Sequence, residues 1–191
     1  PTDASDGYNG PMSVLRRIRL VRQPEGWYSL QSDPVPALRD VMDEPCELSA
    51  QRVSGWQTLA WSGRAYELEL DIEWDVATDV GVAVGCSEDD SRYTSIGVTD
   101  GTIYVDRGPC DLEWCSFLPY WRAEAPIDPS SRWVHLRVLV DMQSVEVFVD
   151  AGHTVLSQQV YFMDGDEGLR LYSYEGEATF SNIVWRATDC D

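Results

Sequence analysis

A chain of 191 residues with 33 acidic and 14 basic side chains, every basic one an arginine, carries a formal charge of −19. That length suits one domain with a sizeable core and is short for two. The charge would repel nucleic acid and anionic lipid, whose binding needs basic groups to displace counterions. There is no run of about 18 apolar residues of the kind a membrane-crossing helix requires, and no basic-then-apolar leader, so a water-soluble domain is expected with any secretion signal outside it.

In chain order, strands are expected over residues 12–21 and 27–31, then a short helical turn at 35–41. Further strands are expected over 56–60, 66–74, 80–86, 93–98, 102–105, 133–141, 144–150, 155–162, 168–173 and 179–186. In the clearest of them Tyr66, Leu68, Leu70, Ile72 and Trp74 alternate with Glu67, Glu69, Asp71 and Glu73. This two-residue period predicts one buried face and one solvated, acidic face. Val134, Leu136, Val138 and Val140 repeat the pattern against His135 and Arg137, and Val145, Val147 and Val149 share a face of the next strand. Asp141-Met142-Gln143-Ser144 joins these two strands as a hairpin, with the Asp accepting from the turn backbone. Turns are predicted at Asp100-Gly101, Ala151-Gly152, Asp164-Gly165 and Glu175-Gly176. Short strands spaced by about 8–12 residues predict an all-β fold, a two-layer antiparallel β-sandwich of the concanavalin or jelly-roll kind. Residues 108–131, with Pro109, Pro119, Pro126 and Pro129, read as a long loop.

Cys46, Cys86, Cys110, Cys115 and Cys190 fit no zinc spacing, so neither a metal nor a cofactor is expected. Cys110 and Cys115 either staple a loop in an oxidising compartment or remain two reduced thiols. His135 and His153 accompany no nucleophile-elbow serine, and no Gly-rich phosphate loop is present. The densest mixture of aromatics and both signs of charge is Asp106, Arg107, Glu113, Trp114, Tyr120 and Trp121. Aromatic faces stack on sugar rings while carboxylates and guanidinium groups meet hydroxyls, so this is the candidate carbohydrate platform. The competing reading is that these aromatics pack against another domain.

The run over 136–152, Leu-Arg-Val-Leu-Val-Asp-Met-Gln-Ser-Val-Glu-Val-Phe-Val-Asp-Ala-Gly, resembles the signature hairpin of the C-terminal sandwich domain of glycoside hydrolase family 32. That family includes invertases, levanases and inulinases. Its pattern is an apolar strand followed by Asp-x-Ser-Ser-Val-Glu-Val-Phe-Val, and Gln143 replaces the first Ser. Asp141, Ser144, Glu146 and Phe148 occupy motif positions, with structural roles expected: Asp141 capping the turn, Glu146 pairing across strands. Tyr104-Val105-Asp106-Arg107, the strand at 155–162 and Ile183-Val184-Trp185 agree in order. Gly7-Tyr8-Asn9-Gly10-Pro11-Met12-Ser13 is similar to the Trp-x-Gly-x-Met-Ser segment that ends the family's catalytic propeller, with Tyr8 for Trp.

The resemblance implies that residues 1–45 are the end of the propeller and a linker, and 46–191 the β-sandwich. A five-bladed propeller is expected before residue 1. The family's Trp-Met-Asn-Asp, Arg-Asp-Pro and Glu-Cys motifs have no match: Arg39-Asp40 is followed by Val41, and Cys46-Glu47 is reversed. Without that nucleophile and acid/base pair the chain cannot hydrolyse glycosides by the family's route. The resemblance therefore implies a non-catalytic accessory domain of a secreted fructan- or sucrose-cleaving glycosidase. Its implied partners are a catalytic β-propeller, in the same or a separate chain, and a fructan or sucrose-type carbohydrate, with no nucleic acid and no membrane. The alternative is a stand-alone fructan-binding module, similar in kind to carbohydrate-binding module family 66.

Overall fold

The computed structural model describes residues 12–110 and 121–188. A ribbon of β1 (Arg16–Arg22) and β2 (Tyr28–Pro34) comes first. A 3-10 turn (Pro36–Val41) comes next and begins at proline, where a missing N–H leaves no bond unmade. Then come β3 (Cys46–Leu48), β4 (Gln51–Ser62), β5 (Tyr66–Trp74), β6 (Asp79–Cys86), β7 (Thr94–Thr99), β8 (Thr102–Asp106), β9 (Arg122–Pro126), β10 (Trp133–Asp141), β11 (Ser144–Val149), β12 (Thr154–Gln159) and β13 (Gly168–Ala187).

The all-β antiparallel sandwich is present, and its two layers are joined through one strand. Hydrogen bonding runs β12-β11-β10-β5-β13-β6-β7-β8-β9. The first part of β13 pairs with β6 and the latter part of β4, and its second part pairs with β5, β3 and the start of β4. The turn expected at Glu175-Gly176 is instead a bulge inside this 20-residue strand. Glu175 takes a left-handed φ of 55°, and the register against β4 jumps between Ser173 and Ala178. A bulge bends a strand without ending it, so β13 turns the corner and serves both layers. The Asp100-Gly101 connection is a tight two-residue turn, with φ of 47° and 72° and Thr99 opposite Thr102, which matches the twist of the flanking strands.

The long loop expected over 108–131 is also corrected. It contains β9, which pairs along β8 and sets Ala123 and Ala125 against the core. Side chains this small leave a weak apolar pattern, and Pro126 is tolerated because it ends the strand.

One core takes Leu68, Leu70 and Ile72 from β5, Leu136 and Val138 from β10, and Val80, Val82 and Val84 from β6. Val145, Val147 and Val149 are buried in it, but Glu146 and Phe148 on the opposite face of β11 are buried too. The solvated acidic face expected on β5 is interrupted in the same way at Glu67, which is 0% exposed, while Glu73 stays exposed and Glu69 and Asp71 are half-buried. Glu67 Oε1 accepts from Arg39 Nε at 2.9 Å and Arg186 Nη1 at 2.7 Å, and its Oε2 from Arg137 Nε at 2.6 Å. Glu69 joins the cluster, 2.7 Å from Arg39 and 3.3 Å from Arg186. Burial pushes the Glu69 carboxyl up, but Arg39, Arg137 and Arg186 outweigh it and hold the group below the ordinary range.

Because Val147 has no exposed surface, Val147→Ala should lower stability by about 1–3 kcal/mol in urea unfolding. A loss below about 0.3 kcal/mol, the size of an ordinary surface effect, would remove this side chain from the core.

Candidate functional site

The matched hairpin is a clasp. Asp141 Oδ1 accepts from the Met142 amide at 2.7 Å, and Asp141 lies opposite Ser144. The pairing across strands expected of Glu146 does not occur, since its neighbours in register are Leu139 and Ser157, neither a cation. Its partners come from the start of the chain. Oε1 accepts the Val14 amide at 2.6 Å, and Oε2 pairs with the Arg16 guanidinium. Arg16 also donates to Ser157 Oγ at 2.8 Å and lies 5.2 Å over the Phe148 ring. These contacts draw the β1–β2 ribbon onto β11, which is why both faces of that strand are covered.

A second fastening holds the ribbon near its middle, through the β2 residues opposite Ile18 and Arg19. The Ser32 amide donates to Gly152 O at 2.9 Å, and Gln31 meets His153 at 2.6 Å. Gly152 has a φ of 81°, and the Ser32 backbone fills the space a Cβ would need, so glycine is required twice over. In β1 and β2, Ile18 and Leu20 fall on one face with Tyr28 and Leu30, Leu20 being opposite Leu30. These four side chains are 61–70% exposed and form an apolar strip.

The outer face of the second layer has a different character. Positions of β6, β7, β8 and β13 that alternate with core residues present Asp79, Gly81, Gly97, Tyr104, Asp106 and Tyr172. Gly81 and Gly97 are opposite one another, and a Cβ on either would strike the Tyr172 hydroxyl. Their missing side chains make the bed in which Tyr172 lies. Tyr104 Oη is 2.8 Å from Tyr172 Oη and 2.9 Å from each Asp79 oxygen. The Arg122 guanidinium covers the Tyr104 ring at 3.8 Å and reaches Asp106 at 3.4 Å. Burial raises Asp79 to about 6, aided by the Asp100 charge and opposed by the Tyr104 hydrogen bond and Arg122.

Of the residues assigned to a carbohydrate platform, Asp106 and Trp121 are exposed or half-buried beside Gly108, whose amide donates to Asp106 Oδ1 at 2.8 Å. Arg107 is buried, with its guanidinium 4.9 Å over the Tyr161 ring. Arg122 stands beside Asp106 on that surface. It escaped sequence reasoning because β9 reads as loop, although its alternation with Ala123 and Ala125 was the available signal. Glu113, Trp114, Tyr120 and Cys115 lie outside the described residues. Cys110 is buried, with its Sγ 3.0 Å from Thr94 Oγ1, and the possible bridge to Cys115 lies outside the described residues.

Residues 40–186 match the family described as glycosyl hydrolases family 32 C terminal. The chain belongs to this family. Over 186 residues it is 38% identical to a levanbiose-producing levanase of Bacillus subtilis (strain 168), a match that covers 96% of this chain and 36% of that protein. A levanase of Bacillus sp. (strain L7) is 28% identical over 94% of this chain and 21% of its own length. The family 32 domain therefore spans about a third or less of these relatives. Among solved structures, an exo-inulinase from Aspergillus awamori superposes with a TM-score of 0.77 at 20% identity, covering 92% of this chain and 35% of that one. At that identity the likeness establishes the fold.

The raised pKa of Asp79 makes a signed prediction for the family 32 domain. The folded state holds this proton more tightly than the unfolded chain, whose aspartates titrate near about 3.9. The cost of burying the charge is therefore absent below about pH 4, grows as pH rises through the window to about 6, and is full above it. The stability of Asp79→Asn relative to the parent should rise between pH 4 and 6 and then level off. A difference independent of pH in denaturant titrations would mean that Asp79 ionises as an ordinary surface carboxylate.

Proposed function

We propose that this domain is the non-catalytic C-terminal part of a fructan- or sucrose-cleaving enzyme and that it braces the catalytic propeller. The carrying observation is the ribbon. The ribbon is pinned to the sandwich at its start through Glu146 and Arg16, and beyond that point Ile18, Leu20, Tyr28 and Leu30 form an exposed strip. A contiguous apolar patch of this kind marks a surface that another domain covers. The 38% identity to a levanase, running along 96% of this chain but 36% of that protein, supports a propeller as the covering domain and levan as the substrate.

The family match beginning at residue 40 supports a division near 45, with residues 1–45 as propeller end and linker and 46–191 as the sandwich. Secretion belongs to the same proposal, since levan is an extracellular polymer too large to enter a cell. Whether the propeller shares this chain or is a separate subunit does not alter the docking role.

Two measurements test the reading. The purified chain should release no fructose from levan, inulin or sucrose, and steady release that survives repurification would overturn the non-catalytic assignment. When the chain is fused behind the propeller of the Bacillus subtilis levanbiose-producing levanase, Leu20→Ser with Leu30→Ser should destabilise the fusion by about 2–5 kcal/mol, the scale of truncating buried leucines. The isolated domain should change by about 0.5 kcal/mol or less, as for exposed positions. Equal effects in the two settings would show that the strip is not the docking face.

A further inference from the structure

We propose that the outer face of the second layer carries a subsite for one ring of a neutral sugar, centred on Trp56. It uses other side chains than the platform assigned to Asp106 and Trp121, on the same outer face. The inference goes beyond the docking role and does not rest on it.

The subsite is an open aromatic box. Trp56, on β4, lies over the fully buried Tyr172 with ring centroids 5.0 Å apart and planes inclined by 35°. Tyr93 and Tyr174 stand edge-on to the indole, at 68° and 83°, with centroids 5.5 and 6.1 Å away. Trp56 Nε1 donates to Tyr174 Oη at 2.9 Å, which fixes the orientation of the indole. Trp56 remains 39% exposed and Tyr174 42%, so the box faces solvent. With Asp90, Arg170 and Cys86 these side chains line a pocket of about 290 Å³. That volume is at the lower limit for small-molecule sites, roughly 300–1,000 Å³, and suits a single ring better than an extended chain.

The chemistry of the walls selects the ligand. Stacked and edge-on aromatics favour the C–H face of a sugar ring, and the Arg170–Asp90 ion pair at the rim supplies both donors and acceptors for hydroxyls. An aromatic box also suits a quaternary ammonium group, which Asp90 and the charge of the chain would attract and the Arg170 guanidinium in the wall opposes, so a cation is the competing ligand that the test must compare. An anion would meet Asp90 and the field of a chain with formal charge −19. A neutral polyhydroxylated ring escapes both penalties.

The site is also preorganised, which lowers the entropic cost of binding. Asp90 takes a φ of 64° in a turn held by Asp89, which accepts from Ser87 Oγ at 2.8 Å and from the Ser91 amide at 3.1 Å. The Arg92 amide donates to Ser87 Oγ at 3.0 Å and closes the turn. Burial pushes the Cys86 thiol up to about 12, so it lines the pocket as an inert wall and not as a nucleophile.

The test is titration of the purified chain with fructose, sucrose, levan oligosaccharides and inulin oligosaccharides, with choline as the cationic control, followed by chemical shifts of the indole N–H groups and by calorimetry. Saturable shifts at Trp56 are expected with a Kd from about 0.1 to 10 mM, because one ring offers few contacts. Trp56→Ala should weaken binding at least tenfold. Tyr174→Ala should do the same, and since Tyr174 lies outside the core cluster, that variant keeps the test valid if Trp56→Ala fails to fold. Shifts confined to Trp121, tighter binding of choline than of any sugar, or no saturation up to about 100 mM would each overturn the proposal. Failure here, with the fused enzyme still depending on Leu20 and Leu30, would leave the docking role standing.

Discussion

A carboxylate with no exposed surface near the start of β5 sets the terms for the first layer. Removing an ionised Glu67 from water costs several kcal/mol, and one partner rarely repays it. Three arginines do so here: Arg39 from the 3-10 turn, Arg137 from β10 and Arg186 from β13. Each comes from a different segment, so satisfying one charge aligns two neighbouring strands and draws the 3-10 turn down onto the sheet. The Met42 bridge to Thr188 and the bond from the Asp43 amide to Ala187 O then continue that alignment along the same edge.

The same device recurs at the joins of the structure. Glu146 gathers Arg16 and the Val14 amide, and Asp166 gathers Arg92, whose guanidinium also reaches the carbonyls of Cys110 and Tyr161. Arginine suits this work because its planar fork meets several acceptors at once and its charge is not lost on burial. With 33 acidic residues and only 14 arginines, these joins engage much of the positive charge and leave the surface strongly negative. Charge pairing in this molecule is therefore a means of attaching segments, and the net charge is what remains outside.

The two layers differ in what their outer faces do. The first is covered by the 3-10 turn and the ribbon, which in turn present an apolar strip. The second is open, and its alternate positions carry tyrosine, tryptophan and a few charged groups over a bed made by Gly81 and Gly97. The proposed docking strip and the proposed sugar subsite therefore lie on different elements, the first on the β1–β2 ribbon and the second on β4 and β13 with Tyr93. The β13 bulge makes this arrangement continuous, since Tyr172 and Tyr174 lie before the corner and Arg186 after it.

By itself the sequence determined most of the strands, though not β3 or β9, together with the hairpin between Asp141 and Ser144, the short helical turn and the family motif, because each depends on neighbours in the chain. Two-residue alternation states which side of a strand a residue points to, and so Val145, Val147 and Val149 were legible as core. It does not state what lies opposite. Glu67 and Glu146 looked solvated or paired locally, yet Arg186 and Arg16, more than 100 residues away along the chain, bury them. The tyrosines at 172 and 174 were visible as aromatics out of phase with Leu169 and Leu171, but nothing in the chain order joins them to Trp56 and Tyr93. Only the folding of β4 and β7 beside β13 and β6 made that contact, because a site assembled across strands depends on register, and register is decided by the packed sheet.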